Sequence, residues 1–214
     1  QVEKIFVAPG NAGTALEAKL KNIPITSIPD LVSFARQEKI DLTVVGPEVP
    51  LTDGIVDAFQ ASGLRIFGPT RNGARLEGSK SFAKAFMLNH GIPTAACETF
   101  DDAAAHRYID RHSLPVVIKA DGLAAGKGVV VAQTADEAHA AVDAMLVDNK
   151  LGAAGAHILI EDCLEGEEAS FIVLSDGKNV LPLATRQDHK RLRDNDEGPN
   201  TGGLGACSPA PIIT

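Results

Sequence analysis

The sequence predicts two parts of different architecture, an α/β part with a parallel sheet followed by an α+β part. Over residues 1–70, short apolar runs alternate with amphipathic stretches, and this alternation is typical of βαβ units. After residue 94, two apolar runs at 116–120 and 128–133 lie too close together for a crossover helix between them, which predicts an antiparallel pair. An alanine-rich stretch at 136–147 predicts a helix next to that pair.

The first part is built from apolar runs that end near Pro-Gly or Gly-Pro. Its predicted strands are residues 5–8, 42–45 and 65–68, and its predicted helices are residues 16–22, 31–38 and 54–62. Ligands of a parallel sheet bind at the carboxyl ends of its strands. The segments Pro-Gly-Asn-Ala-Gly-Thr at 9–14 and Gly-Pro-Glu at 46–48 lie at such ends, so they are candidate binding loops.

A single helix over residues 77–90 is predicted to follow the first part. Apolar residues recur there at helical spacing, and Gly91 and Pro93 close the segment. Lys80 and Lys84 are four residues apart and share one face of this helix. Periodicity alone favours a solvated lysine pair.

The composition, with 44% hydrophobic and 22% charged residues, is that of a soluble globular protein. No apolar run approaches the roughly 18 residues that a membrane span requires. The net charge of -8 argues against a nucleic-acid scaffold. Three widely spaced cysteines, Cys97, Cys163 and Cys207, favour free thiols in a reducing cytoplasm over a disulfide framework or a zinc site.

The connection between the two paired strands reads Asp-Gly-Leu-Ala-Ala-Gly-Lys-Gly at 121–128. Neither G-x-x-x-x-G-K-[ST] nor G-x-G-x-x-G fits its spacing, and a strand follows it where those motifs open a helix. A tight hairpin needs two or three turn residues, whereas this connection has about six small ones. Because glycine lets backbone N–H groups approach an anion closely, a phosphate-binding loop is favoured over a plain turn.

Lys119 lies within the first of these apolar strands. Strand alternation places Val117 and Lys119 on one face and Val116, Ile118 and Ala120 on the other. A lysine in so apolar a strand is either an edge residue or a buried cation with an anionic partner. Next to a glycine-rich loop, the two interpretations are equally favoured.

Two further segments carry charge outside this hairpin. The sequence of residues 157–170 predicts a strand, an acidic kink and a second strand. Backbone groups exposed at this kink could pair with a planar base. The alternative is a solvated acidic turn, which this segment alone favours. Residues 184–206 combine charge and glycine without apolar periodicity, which predicts a structureless segment that is either functional or a disordered linker. The predicted strands in this region are residues 157–162, 169–175 and 180–185.

Taken in order, these motifs resemble one family. G-S-K-x-x-x-K on a helix, IKADGLAAGKGV, the acidic strand–kink–strand segment and QDHKR…GPNTGGLGA resemble the glycinamide ribonucleotide synthetases, which are ATP-grasp ligases of purine biosynthesis. VAPGNAGTA and VVGPEVPLTDGIVDAF belong to the same pattern, and the resemblance covers residues 3–214. IKADGLAAGKGV and DHKR…GPNTGG are specific to this family among ATP-grasp proteins.

The resemblance implies a division of the chain. Residues 1–76 would form a Rossmann-like pre-ATP-grasp substrate domain without its first strand, and residues 77–97 a connecting helix. Residues 98–166 would form the small ATP-grasp lid lobe and residues 167–214 the start of the large lobe. The chain would then be the middle of a longer enzyme, with the magnesium ligands expected beyond Thr214 and therefore unassigned.

The resemblance also implies the site residues. Lys84 and Lys119 would contact the phosphates of ATP, Glu161 and Leu164 would meet adenine through their backbone, and Glu168 would bind ribose. The glycine-rich loop that closes over ATP would contribute Gly122, Gly126, Lys127 and Gly128. The phosphoribosylamine-binding residues would be Gly10, Asn11, Gly13, Thr14, Pro47 and Glu48, with Lys80 in support. Near the meeting point of sugar and glycine would lie Asp188, Lys190, Pro199, Asn200, Thr201, Gly202 and Gly203, and the catalytic residues would be Lys119, Asp188 and Lys190.

The implied reaction uses ATP and Mg²⁺ (or Mn²⁺) to join glycine to 5-phosphoribosylamine. The implied partners are small molecules, without nucleic acid or membrane, and the enzyme would be a cytoplasmic monomer or small homo-oligomer. Two alternatives stay open. One is a different ATP-grasp carboxylate ligase that uses formate or bicarbonate, and the other is a nucleotide-binding fragment without activity.

Overall fold

A computed structural model describes residues 2–124, 128–148 and 150–213, without the side chains of Asp196, Pro199 and Asn200. The chain divides into two units, Gln1–Phe86 and Met87–Thr214. No helix in the described part of the chain is both long enough and apolar enough to cross a membrane.

The first unit contains two pairs of parallel strands. The strands are β1 (Ile5–Val7), β2 (Leu20–Asn22), β3 (Thr43–Val44) and β4 (Ile66–Phe67). The helices that begin in this unit are α1 (Ala12–Ala15), α2 (Ile28–Gln37), α3 (Glu48–Thr52), α4 (Ile55–Ala61), α5 (Arg71–Gly78) and α6 (Lys80–Asn89). β1 pairs with β2 and β3 with β4, both in parallel, so the predicted parallel architecture is confirmed.

Helices α2 and α4 form the apolar core of the first unit. Ala35 of α2 packs in one cluster with Ile55, Val56 and Phe59 of α4. Ser27 fixes the start of α2, because its hydroxyl accepts a hydrogen bond from the backbone N–H of the third helical residue. The buried face of each helix faces the other, which stabilises the strands and loops built around them.

Two helix predictions for this unit are wrong. Residues 16–22 were expected to be helical, but the helix is α1, which is earlier, and Leu20–Asn22 form strand β2 against β1. The expected single helix at 77–90 is two helices, because Ser79 has extended backbone angles and its hydroxyl accepts from the Phe82 N–H at 3.2 Å. Both differences come from short polar residues that cap helix starts and so shift where a helix begins.

The second unit contains a four-stranded antiparallel sheet. Its strands are β5 (Cys97–Phe100), β6 (Val116–Ala120), β7 (Val129–Ala132) and β8 (Ile158–Asp162), in the order β5-β8-β6-β7. The antiparallel pairing of β6 with β7 confirms the predicted hairpin. Because β6 lies between β8 and β7, Lys119 is not on an edge strand, and that interpretation is wrong.

One face of this sheet packs against helices α7 (Ala104–Ile109) and α8 (Ala135–Val142). Val116, Ile118 and Ala120 are fully buried there, as the predicted alternation requires. The predicted helix at 136–147 is α-helical only as far as Val142, and Asp143–Val147 continue it as a π-helical turn. Strand β5 and helix α7 were not predicted, since both are short and lack a clear apolar period.

Two antiparallel hairpins follow the four-stranded sheet. The first pairs β9 (Val173–Ser175) with β10 (Val180–Pro182), and the second pairs β11 (Gln187–Arg193) with β12 (Glu197–Cys207). The prediction that residues 184–206 are structureless is therefore wrong. Both strands of the second hairpin are held by a backbone ladder that runs from the Gln187–Cys207 pair to the Arg193–Glu197 pair, with two irregularities.

Asp176 shapes the turn between β9 and β10. Its carboxylate accepts hydrogen bonds from the backbone N–H groups of Asn179 at 2.6 Å and Lys178 at 2.9 Å, and from the Asn179 side-chain amide at 2.9 Å. These bonds, with the Asn179 backbone N–H first, lower the pKa of Asp176 to about 2. The contribution of the ionised carboxylate to the turn is complete above pH 4, where an unfolded aspartate is also ionised, and is lost as the pH falls through about 2.

Candidate active site

Lys119 forms an ion pair with Glu161 across the four-stranded sheet. Lys119 is paired with Leu159, and Glu161 with Val117, so the two charged residues are diagonal neighbours on one face of β6 and β8. The Lys119 Nζ atom lies 2.9 Å from Glu161 Oε2. The lysine is thus the partnered cation that the sequence offered as one of two interpretations, and its anion is a residue for which only a backbone contact was expected.

The two members of this pair differ in their access to solvent. The Glu161 side chain is 6% exposed, whereas that of Lys119 is 28% exposed. A buried carboxylate needs a cation or several hydrogen-bond donors to remain ionised, and Lys119 contacts Glu161 as such a cation. The Lys119 side chain remains partly exposed to solvent. A second anion can therefore approach it while its contact with Glu161 is kept.

The accessible side of Lys119 lines a cleft of about 1120 Å³ in the second unit. Five of the predicted site residues meet in this cleft, namely Lys119, Glu168, Asp188, Lys190 and Thr201. The remaining lining residues are Val129, Gly166, Glu167, Gln187, His189, Arg191, Leu192, Arg193, Asp194, Asn195 and Leu204. Most of these come from the β11–β12 hairpin, which therefore forms one side of the cleft.

A second lysine–carboxylate pair lies in the same cleft. The Lys190 Nζ atom is 2.7 Å from Glu168 Oε1, and the two side chains are 41% and 68% exposed. Asp188 accepts a hydrogen bond from Arg186 Nη2 at 3.2 Å. Exposed pairs of this kind contribute only about 0.2–1 kcal/mol each, so an anionic ligand can replace the carboxylate at little cost in free energy.

For the other predicted nucleotide contacts and several substrate contacts, the described structure gives exposure, secondary structure or single hydrogen bonds, and apart from Thr201 it does not place these residues in the cleft around Lys119. The Leu164 side chain is 72% exposed in the acidic segment that follows β8. Gly126 and Lys127 lie outside the described residues, as do the side chains of Pro199 and Asn200. Lys80 and Lys84 belong to α6 in the first unit, where Lys84 is buried. In β12, the Thr201 hydroxyl accepts from the Gly203 N–H at 3.1 Å.

Gly122 and Gly128 flank the glycine-rich connection where it leaves and rejoins the sheet. The Gly128 carbonyl accepts from the Ala120 N–H at 2.8 Å, so the ladder of β6 and β7 extends to this point. A Cβ atom on Gly128 would lie 2.7 Å from the Cβ of Ala124 and 3.1 Å from that of Ala120. A Cβ on Gly122 would lie 2.9 Å from the Cα of Ala154. Both positions require glycine because neighbouring atoms occupy the space of a side chain.

Replacing Gly128 with alanine is expected to destabilise the second unit by about 1–3 kcal/mol, the usual range for an overpacked site. Gly205→Ala is the matched control, because a Cβ at that strand position meets nothing within 4 Å. Denaturant unfolding of both variants checks the difference. Equal stability of the two variants would show that the connection adapts to an added methyl group.

The predicted substrate loop of the first unit is closed by a residue that the sequence did not indicate. Asn11 caps α1 and exchanges hydrogen bonds with Thr14. The Asn22 side chain accepts from the Thr14 hydroxyl at 2.8 Å and donates to the Asn11 carbonyl at 2.8 Å. Gly10 has a φ of 80°, and a Cβ there would collide with the Asn22 side chain. An asparagine that ends a predicted amphipathic stretch was the available signal for this contact.

Pro47 and Glu48 stand at the start of α3, after β3. Pro47 is the N-cap of that helix, and Glu48 is its first residue. Gly13 lies within α1, beside the Asn11 side chain. The two loops therefore follow the carboxyl ends of β1 and β3, as the parallel pattern predicted. Their role in binding phosphoribosylamine stays a prediction.

No metal site is assembled by the part of the chain that the structure describes. Within residues 2–124, 128–148 and 150–213, no group of three or more His, Cys, Asp or Glu side chains is arranged to hold an ion. Magnesium is bound through carboxylates, water and substrate phosphates in near-octahedral geometry. In the cleft, Glu168 instead contacts Lys190 and Asp188 contacts Arg186, so these two carboxylates do not fit a metal centre by themselves.

The whole chain matches one family in two consecutive segments. Residues 1–77 match the family described as Phosphoribosylglycinamide synthetase, N domain. Residues 78–214 match Phosphoribosylglycinamide synthetase, ATP-grasp (A) domain.

Curated relatives and solved structures agree with this match. The Phosphoribosylamine--glycine ligase of Neisseria meningitidis serogroup B is 65% identical over 100% of this chain and 51% of its own length. The Escherichia coli K12 protein of the same name is 61% identical over 100% of this chain and 50% of its own length. The chain thus spans about half the length of the curated relatives it matches.

A crystal structure of Phosphoribosylamine--glycine ligase from Thermotoga maritima aligns with a TM-score of 0.78 and 33% identity, covering 98% of this chain and 50% of that one. The biotin carboxylase domain of the Hydrogenobacter thermophilus 2-oxoglutarate carboxylase aligns with a TM-score of 0.66 and 20% identity, over 83% of this chain and 42% of that one. The second likeness shows the fold alone, which is ATP-grasp. From the two family matches together, the chain belongs to the phosphoribosylglycinamide synthetase family.

Proposed function

We propose that the chain supplies the N domain and part of the ATP-grasp domain of an ATP-dependent ligase. The enzyme joins glycine to 5-phosphoribosylamine and yields glycinamide ribonucleotide, ADP and phosphate, a step of purine biosynthesis. The observation that carries the proposal is the cleft in which Lys119 and Lys190 each contact a carboxylate at 2.9 Å or less. Two cations that share one cleft provide a place for a triphosphate.

The proposed domain division follows the resemblance described above. Residues 1–76 form the substrate domain, and residues 77–97 connect it to the small lobe. Residues 98–166 form the lid lobe, and residues 167–214 begin the large lobe. This assignment places the four-stranded sheet in the lid and the β11–β12 hairpin in the large lobe.

The proposed nucleotide site uses both sides of the cleft. Lys119 contacts the phosphates from the sheet, and Glu168 turns from Lys190 to the ribose hydroxyls. The backbone of Glu161 and Leu164 meets adenine, while the Glu161 side chain keeps its bond to Lys119. Further phosphate contacts are assigned to Lys84, Gly122, Gly126, Lys127 and Gly128, and substrate contacts to Gly10, Asn11, Gly13, Thr14, Pro47, Glu48 and Lys80.

The proposed reaction proceeds through an acyl phosphate. A carboxylate oxygen of glycine attacks the γ-phosphorus of ATP, and the bond between that phosphorus and the β,γ-bridging oxygen breaks, which releases ADP. The amine of phosphoribosylamine then attacks the carbonyl carbon of glycyl phosphate. Phosphate leaves with the oxygen that came from glycine, and the amine loses a proton. No nucleophile of the protein takes part.

Positioning and charge neutralisation supply the catalysis in this scheme. Negative charge accumulates on the transferred phosphoryl group, and fixed cations stabilise it without rearrangement. Lys119 is fixed by the buried Glu161 carboxylate, and Lys190 is released when Glu168 binds ribose. Asp188 and the 199–203 segment lie on the hairpin beside Lys190, where glycine and the sugar amine would meet. Water must be excluded because glycyl phosphate hydrolyses.

A divalent cation, magnesium or manganese, accompanies ATP in this proposal and offsets the charge of its phosphates. The described residues do not assemble a site for it, so no step is assigned to the ion. The partners are small molecules and not nucleic acid or membrane, and the enzyme acts in the cytoplasm as a monomer or small homo-oligomer.

An isotope experiment on the intact enzyme tests this function. Glycine labelled with ¹⁸O in its carboxylate is incubated with ATP, phosphoribosylamine and a magnesium salt. We expect one ¹⁸O atom in each phosphate released and ADP formation that requires both glycine and phosphoribosylamine. Formate and bicarbonate serve as control acids and should not support ADP formation.

Two results would contradict the proposal. Unlabelled phosphate would show that the glycine carboxylate does not attack ATP. ADP formation with formate or bicarbonate in place of glycine would identify a different carboxylate ligase.

A further inference from the structure

The last residue of strand β2 is an asparagine whose side chain contacts the predicted substrate loop, residues 9–14. Asn22 is half-buried and is paired with Val7 of β1, and the next residue, Ile23, donates its backbone N–H to the Val7 carbonyl at 2.9 Å. A hydrogen-bonded strand therefore carries this side chain. Gly10 lies so close to it that a Cβ atom at position 10 would collide with the Asn22 amide group.

The contacts of Asn22 determine which way its amide group is turned. The Asn11 backbone carbonyl lies 2.8 Å from one end of this amide. Because a carbonyl oxygen only accepts hydrogen bonds, that end is the nitrogen, Nδ2. The other end, Oδ1, lies 2.8 Å from the Thr14 hydroxyl and accepts its proton.

The Thr14 hydroxyl has a second acceptor within reach, but it has only one proton to donate. The Asn11 carbonyl lies 3.0 Å from the hydroxyl oxygen. That carbonyl already accepts from Asn22 Nδ2 and from the Ala15 backbone N–H at 3.1 Å, which together use its two lone pairs. The Thr14 proton is thus directed to Asn22. The hydroxyl oxygen accepts from the Asn11 backbone N–H at 2.8 Å, which leaves it one further lone pair.

The Asn11 side chain has the opposite hydrogen-bonding capacity. Its Oδ1 atom accepts from the Thr14 backbone N–H at 3.0 Å, and no hydrogen bond engages its amide nitrogen within the described residues. The loop therefore offers a ligand two different groups, N–H donors on Asn11 and an oxygen acceptor on Thr14. A phosphorylated sugar carries the matching groups, since its phosphate oxygens accept hydrogen bonds and its hydroxyl groups donate them.

We propose that Asn22 is a positioning residue for phosphoribosylamine, an inference that rests on the proposed function. Asn22 acts through Asn11 and Thr14, because it holds the Asn11 carbonyl and fixes the direction of the Thr14 hydroxyl proton. Thr14 is then set to accept from a hydroxyl or amine hydrogen of the substrate, and Asn11 to donate to one of its oxygens. Groups that are ordered before binding lose less conformational freedom when the substrate arrives.

Two substitutions of Asn22 in the intact enzyme test this role. Asn22→Asp keeps the size of the side chain, but an ionised carboxylate has no donor for the Asn11 carbonyl. Asn22→Ala removes both contacts and should still fold, because the Thr14 hydroxyl can turn to the Asn11 carbonyl. We expect each variant to lower kcat/KM for phosphoribosylamine by about 10- to 100-fold, the effect of a misplacement of roughly 1 Å. The KM values for ATP and glycine should stay unchanged.

Binding of ribose 5-phosphate, which lacks the amine, measures the same effect without turnover. Calorimetric titration should show weaker binding to both Asn22 variants, and denaturant unfolding of the same preparations shows whether they are folded. Asn72→Ala is the matched control. Asn72 is an exposed asparagine of α5 whose side chain makes no hydrogen bond within the described part of the chain, so this variant should bind and ligate normally.

A second substitution separates positioning from a general structural effect. Thr14→Val removes the hydroxyl group through which Asn22 acts and keeps the shape of the side chain. In that background, Asn22→Ala should change the binding of ribose 5-phosphate by a smaller factor than it does in the wild type.

Three results would overturn the role of Asn22 even if the wild-type enzyme joins glycine to phosphoribosylamine. These are unchanged binding and kcat/KM in both Asn22 variants, equal increases in KM for all three substrates, and fully additive effects of Asn22→Ala and Thr14→Val. A wild-type enzyme that does not join the two substrates would instead overturn the proposed function and, with it, this inference.

Discussion

Under the proposed function, replacing Lys119 with alanine in the intact enzyme is expected to lower the rate of glycine ligation by about 10²-fold or more, the usual effect of removing one group that stabilises a developing negative charge. The ammonium group is the one cation that the four-stranded sheet directs into the cleft among the described residues. An enzyme-coupled assay of the rate of ADP release measures this loss of activity. Normal activity in the variant would show that Lys119 does not act on the phosphates.

The same change also affects stability, because it removes the Lys119 ammonium group that contacts the buried Glu161 carboxylate. Breaking a fully buried ion pair costs about 3–5 kcal/mol, and the partial exposure of Lys119 makes this range an upper bound. A loss of activity could therefore reflect unfolding alone, so the single variant is not sufficient.

A second variant separates the two effects. In Lys119→Ala combined with Glu161→Gln, the buried group is neutral and of nearly the same shape, so most of the lost stability should return. Ligation should stay as low as in Lys119→Ala, because the phosphates still lack their cation. Recovery of both stability and ligation in the double variant would mean that Lys119 serves only to neutralise Glu161.

Under the proposed function, replacing Lys190 with methionine in the intact enzyme is expected to lower ligation by a similar factor of about 10², with almost no loss of stability. Its bond to Glu168 is exposed, and such pairs contribute at most about 1 kcal/mol to folding. Steady-state ligation and denaturant unfolding, measured on the same preparation, check both parts of this prediction.

Lys178→Met is the matched control for that experiment. Lys178 is an exposed lysine in the β9–β10 turn, and the structure shows its backbone N–H, not its side chain, bonded to Asp176. The control should ligate glycine normally. If both variants lose activity equally, the loss reflects the charge of the second unit as a whole and not a contact with substrate.

The sequence predicted the β6–β7 hairpin well because its signals are local. Alternating burial in β6 follows directly from residue spacing, and the short connection permits only antiparallel pairing. The partner of Lys119 could not be predicted in the same way. Glu161 lies 42 residues further along the chain, and only the register of β6 against β8 brings the two side chains together.

The β11–β12 hairpin, by contrast, was not predicted from the sequence. Glycine-rich and charged segments have low strand propensity, which made residues 184–206 resemble a linker. The hairpin is held by its backbone ladder, and its side chains serve the cleft more than a core. Polar side chains that line a cleft leave no apolar alternation for a sequence to reveal, so the side of the site with most of its charge was the part predicted least well.

The place of Lys119 on an inner strand has a consequence for how the cleft can change between related sequences. Strand β6 is hydrogen-bonded to β8 on one side and to β7 on the other. The pairing of these strands therefore fixes the position of Lys119 in the sheet. Under the proposed function, amino-acid changes on the β11–β12 hairpin can alter which acid and amine are accepted without moving that charge. Substrate preference can then diverge through changes in this hairpin, while Lys119, the proposed phosphate contact, keeps its position in all related sequences.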